Sequence, residues 1–286
     1  MLTPDDLVMV VLVRNDDRQA AMPTATVAEL GAIARKIRAL GVPAVKLFAS
    51  GGRRDELGTA SLAPDGVMSH AVHKIRSAEP DVLVMTETCL CSHTLTGDCH
   101  PRDSHGRPDL RAAIEQISAQ AVVQADAGAN VVGPASMIPG SVRAVRHALD
   151  ETGHDQVQIM PHLIWRSCLY QEFRQTMEAM PSGGQRPFHL RPGDPVAGMR
   201  SALAMLGEGA DSLLLEPALT CADLLIQLHS VHPEVSLVPF SVSGEYRRLT
   251  RSAELGPLVE LLIMLKRAGA ERITTYAAVE IAATLL

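Results

Sequence analysis

The fold class that the sequence predicts is α/β, a single (β/α)8 barrel of the TIM type spanning residues 1–286. Eight short apolar segments alternate with amphipathic ones, and 286 residues is a suitable length for one such barrel. Only 3% of the residues are aromatic although 47% are hydrophobic, which favours aliphatic strands covered by helices. A doubly wound open sheet is the alternative, but no Gly-x-Gly-x-x-Gly follows the first apolar segment.

The predicted strands are apolar runs, several of them rich in β-branched residues, as expected of parallel strands buried on both faces. They span Val8–Val13, Pro43–Ser50, Val82–Thr88, Asn130–Ser136, Gln156–Pro161, Ser212–Pro217, Val235–Ser243 and Ile273–Ala277. The predicted helices begin after a capping residue or end near a glycine. They span Val27–Leu40, Asp109–Ala127, Ser141–Glu151, Asp194–Leu206, Cys221–His229 and Leu255–Arg267.

Composition excludes several classes of partner. The net charge is -6 and no basic tract is present, which argues against nucleic acid. No apolar run approaches the roughly 20 residues of a membrane helix, and the first residues do not resemble a signal peptide. Five cysteines are an odd number for a disulfide framework, and three of them are clustered. We therefore expect a cytoplasmic protein that acts on a small molecule.

The clustered cysteines are Cys89, Cys91 and Cys99, which follow the third predicted strand. Thiolates are soft ligands that suit Zn²⁺, and three of them leave one coordination position open, as in catalytic zinc sites. The spacing therefore predicts a site for zinc or another thiophilic metal. The alternative is three buried thiols that bind nothing.

Polar residues just past the predicted strands are expected at the catalytic face of the barrel. They are Arg14, Ser50, Glu87, Ser136, His162, Glu216, Ser243 and Tyr276. Two long irregular stretches, Cys91–Pro108 and Met180–Pro192, are expected to cover the same face.

Several motifs together resemble the porphobilinogen synthase (5-aminolevulinate dehydratase) family. They are Glu87-Thr-Cys-Leu-Cys91 with Cys99, the segment Ala125–Met137, Val242-Ser-Gly-Glu-Tyr246, and Thr275-Tyr276. The resemblance runs over nearly the whole chain and implies a (β/α)8 barrel with a zinc site. Family members condense two molecules of 5-aminolevulinate, and two lysines each form a Schiff base with a substrate ketone.

Neither of those lysines is present in this sequence. The segment Met160–Tyr170, where the first is expected, contains no lysine, and Trp165 stands at its place. The second is expected between Leu215 and Pro217, where this chain has Glu216. The resemblance also leads us to expect Asp where Glu87 and Ser136 stand, and Gln where His189 stands.

The residues that the family uses to hold substrate carboxylates are retained. Arg174 and Arg186 match the arginines that bind one carboxylate, and Ser243 and Tyr276 match the pair that binds the other. The alternative for the arginines is a solvated helix face and a flexible lid. For Ser243 the alternative is a turn residue before Gly244.

The function predicted on this basis is a zinc-dependent lyase or condensing enzyme for a small amino- or keto-carboxylate, outside haem synthesis. Glu87, Glu216, His162 and Ser136 are the candidate catalytic residues, and His189 is a further substrate-binding candidate. A true but altered porphobilinogen synthase and a non-catalytic ligand-binding homologue are the alternatives.

Two further expectations concern the lysines and the assembly. Lys46, in the second predicted strand, is either a relocated nucleophile or a partner of Glu87 or Glu216. The chain begins almost at its first strand and lacks the family's long N-terminal arm, which favours a homodimer or another homo-oligomer over an arm-exchanged octamer.

Overall fold

Nine short parallel strands form one curled sheet in the computed structural model, which describes residues 1–16, 18–182, 186–251 and 254–285. The strands are β1 Leu7–Val13, β2 Ala44–Ala49, β3 Leu83–Thr88, β4 Val131–Pro134, β5 Gln158–Ile159, β6 His162–Ile164, β7 Ser212–Glu216, β8 Ser236–Ser241 and β9 Ile273–Thr275.

The sheet closes on itself through one interrupted strand. Its order is β5-β4-β3-β2-β1-β9-β8-β7-β6, so the two edge strands are consecutive in the chain and separated by Met160 and Pro161. β5 pairs with β4, and β6 pairs with β7. Pro161 has no N–H to donate, but its carbonyl oxygen accepts the Leu214 N–H at 3.1 Å. The predicted TIM-type barrel is therefore confirmed, while the predicted strand Gln156–Pro161 is divided and extends to Ile164.

Ten helices pack outside the sheet or over its rim in the part of the chain that the structure describes. They are α1 Leu30–Ala39, α2 Val67–Ala78, α3 Leu110–Asp126, α4 Ser141–Glu151, α5 Gln171–Thr176, α6 Pro195–Gly207, α7 Ala222–Val231, α8 Ser243–Leu249, α9 Gly256–Arg267 and α10 Ala278–Leu285. The carboxylates of Asp109 and Asp194 cap α3 and α6 by accepting backbone N–H groups.

All six predicted helices are present, but the sequence analysis missed α2, α5, α8 and α10. α5 and α8 are short helices that directly follow strand or turn segments, so they carry too few turns for a helical period to show. Because α8 was missed, the predicted strand Val235–Ser243 extends too far and includes the first residue of that helix. The observed strand ends at Ser241, and Ser243 begins α8, where the Glu245 carboxylate accepts the Val242 N–H at 2.8 Å.

The main apolar core lies between the sheet and the helices. α4 shows the pattern, because Val142, Val145 and Leu149 are buried on one of its faces. The interior of the barrel is different, since it also contains ionisable side chains: Lys46 is 0% exposed and His162 only 1%. No helix within the described ranges is both long and apolar enough to cross a membrane.

Gly133 on β4 gives these buried polar groups their space. A Cβ at this residue would overlap Nζ of Lys46 and lie 2.9 Å from the Thr86 carbonyl oxygen and 3.0 Å from Nε2 of His162. We expect Gly133→Ala to lower the free energy of unfolding by about 1–3 kcal/mol, because overpacking a buried position forces its neighbours into strain. Urea titration followed by circular dichroism measures the change.

The matched control is Gly207→Ala near the end of α6, where an added Cβ meets no heavy atom within 4 Å. We expect no loss of stability for this variant, since alanine is the better helix former. Equal stability of Gly133→Ala and the unchanged protein would contradict the close packing described here.

Candidate active site

A cavity lies at the carboxyl ends of the strands and brings most of the predicted site residues together. Its walls are formed by strand ends, by the loop that follows β3, by α5, and by the segment before α6. Ten of the twelve site residues predicted from the sequence line it: Glu87, Cys89, Cys91, Cys99, Arg174, Arg186, His189, Glu216, Ser243 and Tyr276.

The other two predicted residues, His162 and Ser136, are buried but do not line the cavity. His162 lies beneath it on β6, in contact with Glu216. The Ser136 hydroxyl accepts the Ile138 N–H at 3.3 Å, so it stabilises the turn after β4. His162 can therefore act through Glu216, whereas nothing in the geometry brings Ser136 to a ligand.

Three thiols form a compact group at one side of the cavity. The Sγ atoms of Cys89, Cys91 and Cys99 all lie within 4.8 Å of one another, and the thiol of Cys89 donates to Cys99 at 3.4 Å. No disulfide joins them, since all three are free and buried. Tetrahedral zinc with bonds of about 2.3 Å needs sulfur atoms roughly 3.8 Å apart, so the group fits such an ion.

The three thiols differ in acidity, since the pKa values of Cys89 and Cys91 are raised by their thiol neighbours and by burial. Hydrogen bonds from the other two thiols, with a further contribution from Arg186, hold the pKa of Cys99 well below its usual range. The guanidinium of Arg186 contacts Sγ of Cys99 and also donates to the Ala179 carbonyl oxygen at 2.6 Å. The segment before α6 is thereby tied to the loop that carries the cysteines.

Two glutamines of α3 hold the strand and loop that present the thiols. The amide of Gln124 donates to the Glu87 carbonyl oxygen at 2.9 Å, and its oxygen accepts the hydroxyls of Thr86 and Thr88. The amide of Gln120 donates to the Cys89 carbonyl oxygen at 3.3 Å. These contacts fix the end of β3, which carries Glu87 into the cavity.

Glu216 and His162 form a buried pair at the floor. Nδ1 of His162 lies 2.9 Å from Oε1 of Glu216, and the two side chains are 1% and 6% exposed. Burial raises the pKa of Glu216 to about 8, with a further contribution from the charge of Glu87. Burial and the nearby ammonium of Lys46 hold the pKa of His162 well below its usual range, so this imidazole is neutral.

Lys46 is close to the pair but does not reach the cavity. Its Nζ donates to the Thr86 carbonyl oxygen at 2.9 Å, and burial lowers its pKa to about 8. It makes no ion pair within 4 Å among the residues that the structure describes, so the expected contact with Glu87 or Glu216 is only a longer-range attraction. A nucleophilic role would require Nζ to become exposed.

A third buried glutamate, Glu245, ties two loops together. Its carboxylate accepts the N–H groups of Leu219 and Val242, at 2.7 and 2.8 Å. Leu219 follows β7 and Val242 follows β8, so the contact sets the positions of Glu216 and Ser243 relative to each other.

The candidate carboxylate-binding residues line the cavity, and they differ in whether their polar atoms already have partners in the protein. The guanidinium of Arg174 stacks over the Tyr170 ring at 5.2 Å. The hydroxyl of Ser243 donates to the Leu169 carbonyl oxygen and accepts the Phe173 N–H. The hydroxyl of Tyr276 is buried without a hydrogen-bond partner in the described part of the chain, which leaves it available to a ligand.

Aromatic residues are the feature that the sequence analysis missed. Five rings line the cavity: Phe48, Tyr170, Phe173, Phe240 and Tyr276. The Phe48 ring lies 5.2 Å from Phe173 and 5.8 Å from Phe240, measured between centroids. The sequence did contain a signal for this feature. The chain has few aromatic residues, and most of them lie near the ends of predicted strands, where a barrel has its active site.

Trp165, at the first lysine position expected from the family resemblance, faces the helices. A Cβ at Gly198 of α6 would lie 2.7 Å from Cζ2 of its indole, and Trp165 does not line the cavity. No lysine lines the cavity either, in the part of the chain described.

Comparison with known proteins agrees with this geometry. A family model described as delta-aminolevulinic acid dehydratase matches residues 1–284. The chain belongs to this family. The delta-aminolevulinic acid dehydratase of Streptomyces coelicolor is 34% identical over 255 residues, which cover 86% of this chain and 77% of that protein. The enzyme of the same name from Halalkalibacterium halodurans is 31% identical, covering 97% of this chain and 89% of the relative.

The fold comparison supports the same family. The crystal structure of delta-aminolevulinic acid dehydratase (porphobilinogen synthase) from Toxoplasma gondii, in complex with the product porphobilinogen, superposes with a TM-score of 0.93. It is 27% identical and covers 99% of this chain and 86% of that one. The protein therefore belongs to an enzyme family and has the barrel fold of porphobilinogen synthase.

The raised pKa of Glu216 provides a test of whether this carboxyl group is buried away from water. The folded protein holds its proton up to about pH 8, whereas an exposed glutamate in the unfolded chain ionises near 4.5. Stability from this group is therefore present below pH 4.5 and lost as the pH rises towards 8. Glutamine does not ionise, so Glu216→Gln does not lose this stability as the pH rises. We therefore expect its free energy of unfolding minus that of the unchanged protein to be larger at pH 8 than at pH 5.

Urea denaturation at the two pH values measures this difference. Glu260→Gln, on an exposed position of α9, is the matched control for the loss of a carboxyl group. A difference for Glu216→Gln that does not change with pH would show that this carboxyl is not desolvated.

Proposed function

We propose that the protein is a zinc-dependent lyase or condensing enzyme that acts on a small amino- or keto-carboxylate without Schiff-base lysines. One observation carries the proposal. The thiol group, two buried glutamates and the carboxylate-binding candidates all line one cavity, and no lysine among the described residues does so. This combination keeps the thiols and the binding groups of a condensing enzyme without the lysines of its covalent chemistry.

Cys89, Cys91 and Cys99 would hold the metal. Three thiolates would leave one coordination position of a tetrahedral ion open, and all three cysteines line the cavity in which a ligand would bind. Zinc bound there supplies Lewis-acid chemistry, polarising a carbonyl or activating a water or an amine.

The other residues act by binding, orienting and moving protons. Arg174 and Tyr276 can each hold a ligand carboxylate, since a guanidinium and an unpartnered buried hydroxyl both donate to carboxylate oxygens. Glu216 exchanges a proton with the ligand, because its raised pKa lets it act as either acid or base near neutral pH. His162 orients that carboxyl from below through its Nδ1 contact.

The proposal makes a direct prediction for 5-aminolevulinate. The zinc-supplemented protein at high concentration is expected to yield no porphobilinogen in a colorimetric assay, because no ε-amino group lines the cavity to capture the ketone. Product formation that a chelator abolishes would instead support a true synthase with an altered mechanism.

Borohydride reduction in the presence of 5-aminolevulinate provides the second readout. We expect no covalent adduct by mass spectrometry, since Lys46 is 0% exposed. An adduct mapped to Lys46 would overturn the mechanism proposed here and establish a relocated Schiff base.

Metal content tests the thiol site independently of activity. The protein is purified under reducing conditions, supplied with zinc, and dialysed to remove unbound metal. We expect it to retain about one zinc per chain, and we expect Cys99→Ser to lose most of this zinc. The control is Cys168→Ser, whose thiol is exposed outside the cavity, and it is expected to retain the metal. Absence of zinc from the unchanged protein would favour a non-catalytic ligand-binding role.

A further inference from the structure

The cavity has charges of opposite sign on different elements. Arg174 and Arg186 come from α5 and from the segment before α6, whereas Glu87 and Glu216 come from the ends of β3 and β7. A ligand in this cavity therefore meets both guanidinium and carboxyl groups.

Among the residues that the structure describes, no lysine or arginine lies within 4 Å of the Glu216 carboxylate. The one ion-pair contact that it makes among the described residues is with His162, whose imidazole is neutral because burial and Lys46 lower its pKa. The nearest ammonium, Lys46, donates instead to the Thr86 carbonyl oxygen. In the empty cavity Glu216 keeps its proton at neutral pH, because an ionised carboxylate buried without a cation is costly. A cation brought by the ligand would remove that cost and favour the ionised form.

The aromatic rings favour the same kind of guest. The chain has eight aromatic residues, four Phe, three Tyr and one Trp, and five of them line this cavity together with Glu216. Ring faces attract cations, and protein sites for ammonium ligands combine such rings with a carboxylate. Rings that served only to fill the core would be expected throughout the barrel, in contact with aliphatic side chains.

We propose that Glu216 and the surrounding aromatic rings form an ammonium subsite, so that the ligand is an amino carboxylate that needs no ketone. The inference rests on the proposed function, because Arg174 must hold the carboxylate of the same molecule.

The substitution of a carboxylate for a lysine reverses what the position selects. A lysine ε-amino group captures a ketone by forming an imine and releasing water. A carboxyl group cannot form that bond, and in its ionised form it repels the partial negative charge of a ketone oxygen. It binds an ammonium group by charge-assisted hydrogen bonds, which are about twice as strong as neutral ones.

Three five-carbon acids separate these possibilities. 5-Aminovalerate has the ammonium group without a ketone, levulinate has the ketone without an amine, and valerate has neither. Isothermal titration calorimetry with the zinc-supplemented full chain is expected to show that 5-aminovalerate binds on the order of 10- to 100-fold more tightly than valerate. Levulinate is expected to bind no more tightly than valerate.

The variant Glu216→Gln keeps the shape of the side chain and removes its charge. We expect it to lower the affinity for 5-aminovalerate to that for valerate, and to leave levulinate and valerate unchanged. Arg174→Gln is the matched control at the other end, and it is expected to weaken all three acids by a similar factor. Circular dichroism and a thermal melt establish that both variants are folded.

A second variant tests the position in the opposite direction. Glu216→Lys is expected to form an adduct with levulinate on borohydride reduction, with peptide mapping placing it at residue 216. The unchanged protein is expected to form none. A folded Glu216→Lys protein that gives no adduct would show that this side chain does not reach the ligand, which overturns the inference.

The outcomes distinguish the inference from the function on which it rests. Equal binding of the three acids, all weakened by Arg174→Gln, would overturn the ammonium subsite and leave the carboxylate site in place. Tighter binding of levulinate than of 5-aminovalerate would do the same. If none of the three acids binds, the proposed function fails together with the inference.

Discussion

The structure depends on keeping ionisable groups buried inside a barrel built from aliphatic side chains. Lys46, Glu87 and Glu216 are all less than 10% exposed, and each lies where water is largely excluded. Burial shifts their pKa values towards one another, to about 8 in each case, because charge is costly in such an environment. Proton exchange near neutral pH follows from this constraint alone.

Space for these groups is created by the backbone around them. Gly133 leaves room for Nζ of Lys46 and for His162, and Gln124 anchors the end of β3 beside them. The polar floor is therefore part of the packing of the barrel. A change in any of these residues is expected to affect the fold and the cavity together.

Membership of the delta-aminolevulinic acid dehydratase family explains what the cavity retains. The thiol group, the arginines and Tyr276 suit a metal and ligand carboxylates, as the family resemblance implies. Neither expected lysine is present, and no lysine among the described residues lines the cavity. A carboxylate in place of an ε-amino group can bind a cation and move a proton, but it cannot form an imine with a ketone.

The sequence alone determined the barrel, six of the helices and ten of the residues that line the cavity. Apolar runs, capping residues and the cysteine spacing are local signals, and parallel strand ends meet at one face by geometry. Arg174, Arg186 and His189 were predicted only from the family resemblance. The missed helix α8 is too short for a helical period to show, and Pro161, which has no N–H to donate, separates β5 from β6.

Tertiary structure alone decided the state of the polar groups. The pairing of His162 with Glu216, the burial of Lys46 and the gathering of five aromatic rings join residues far apart in the chain. The charge of a side chain depends on the water and the charges around it, and these are set by the folded barrel. For that reason the sequence identified Glu216 as a substitution, and only the fold showed a carboxylate without a cation.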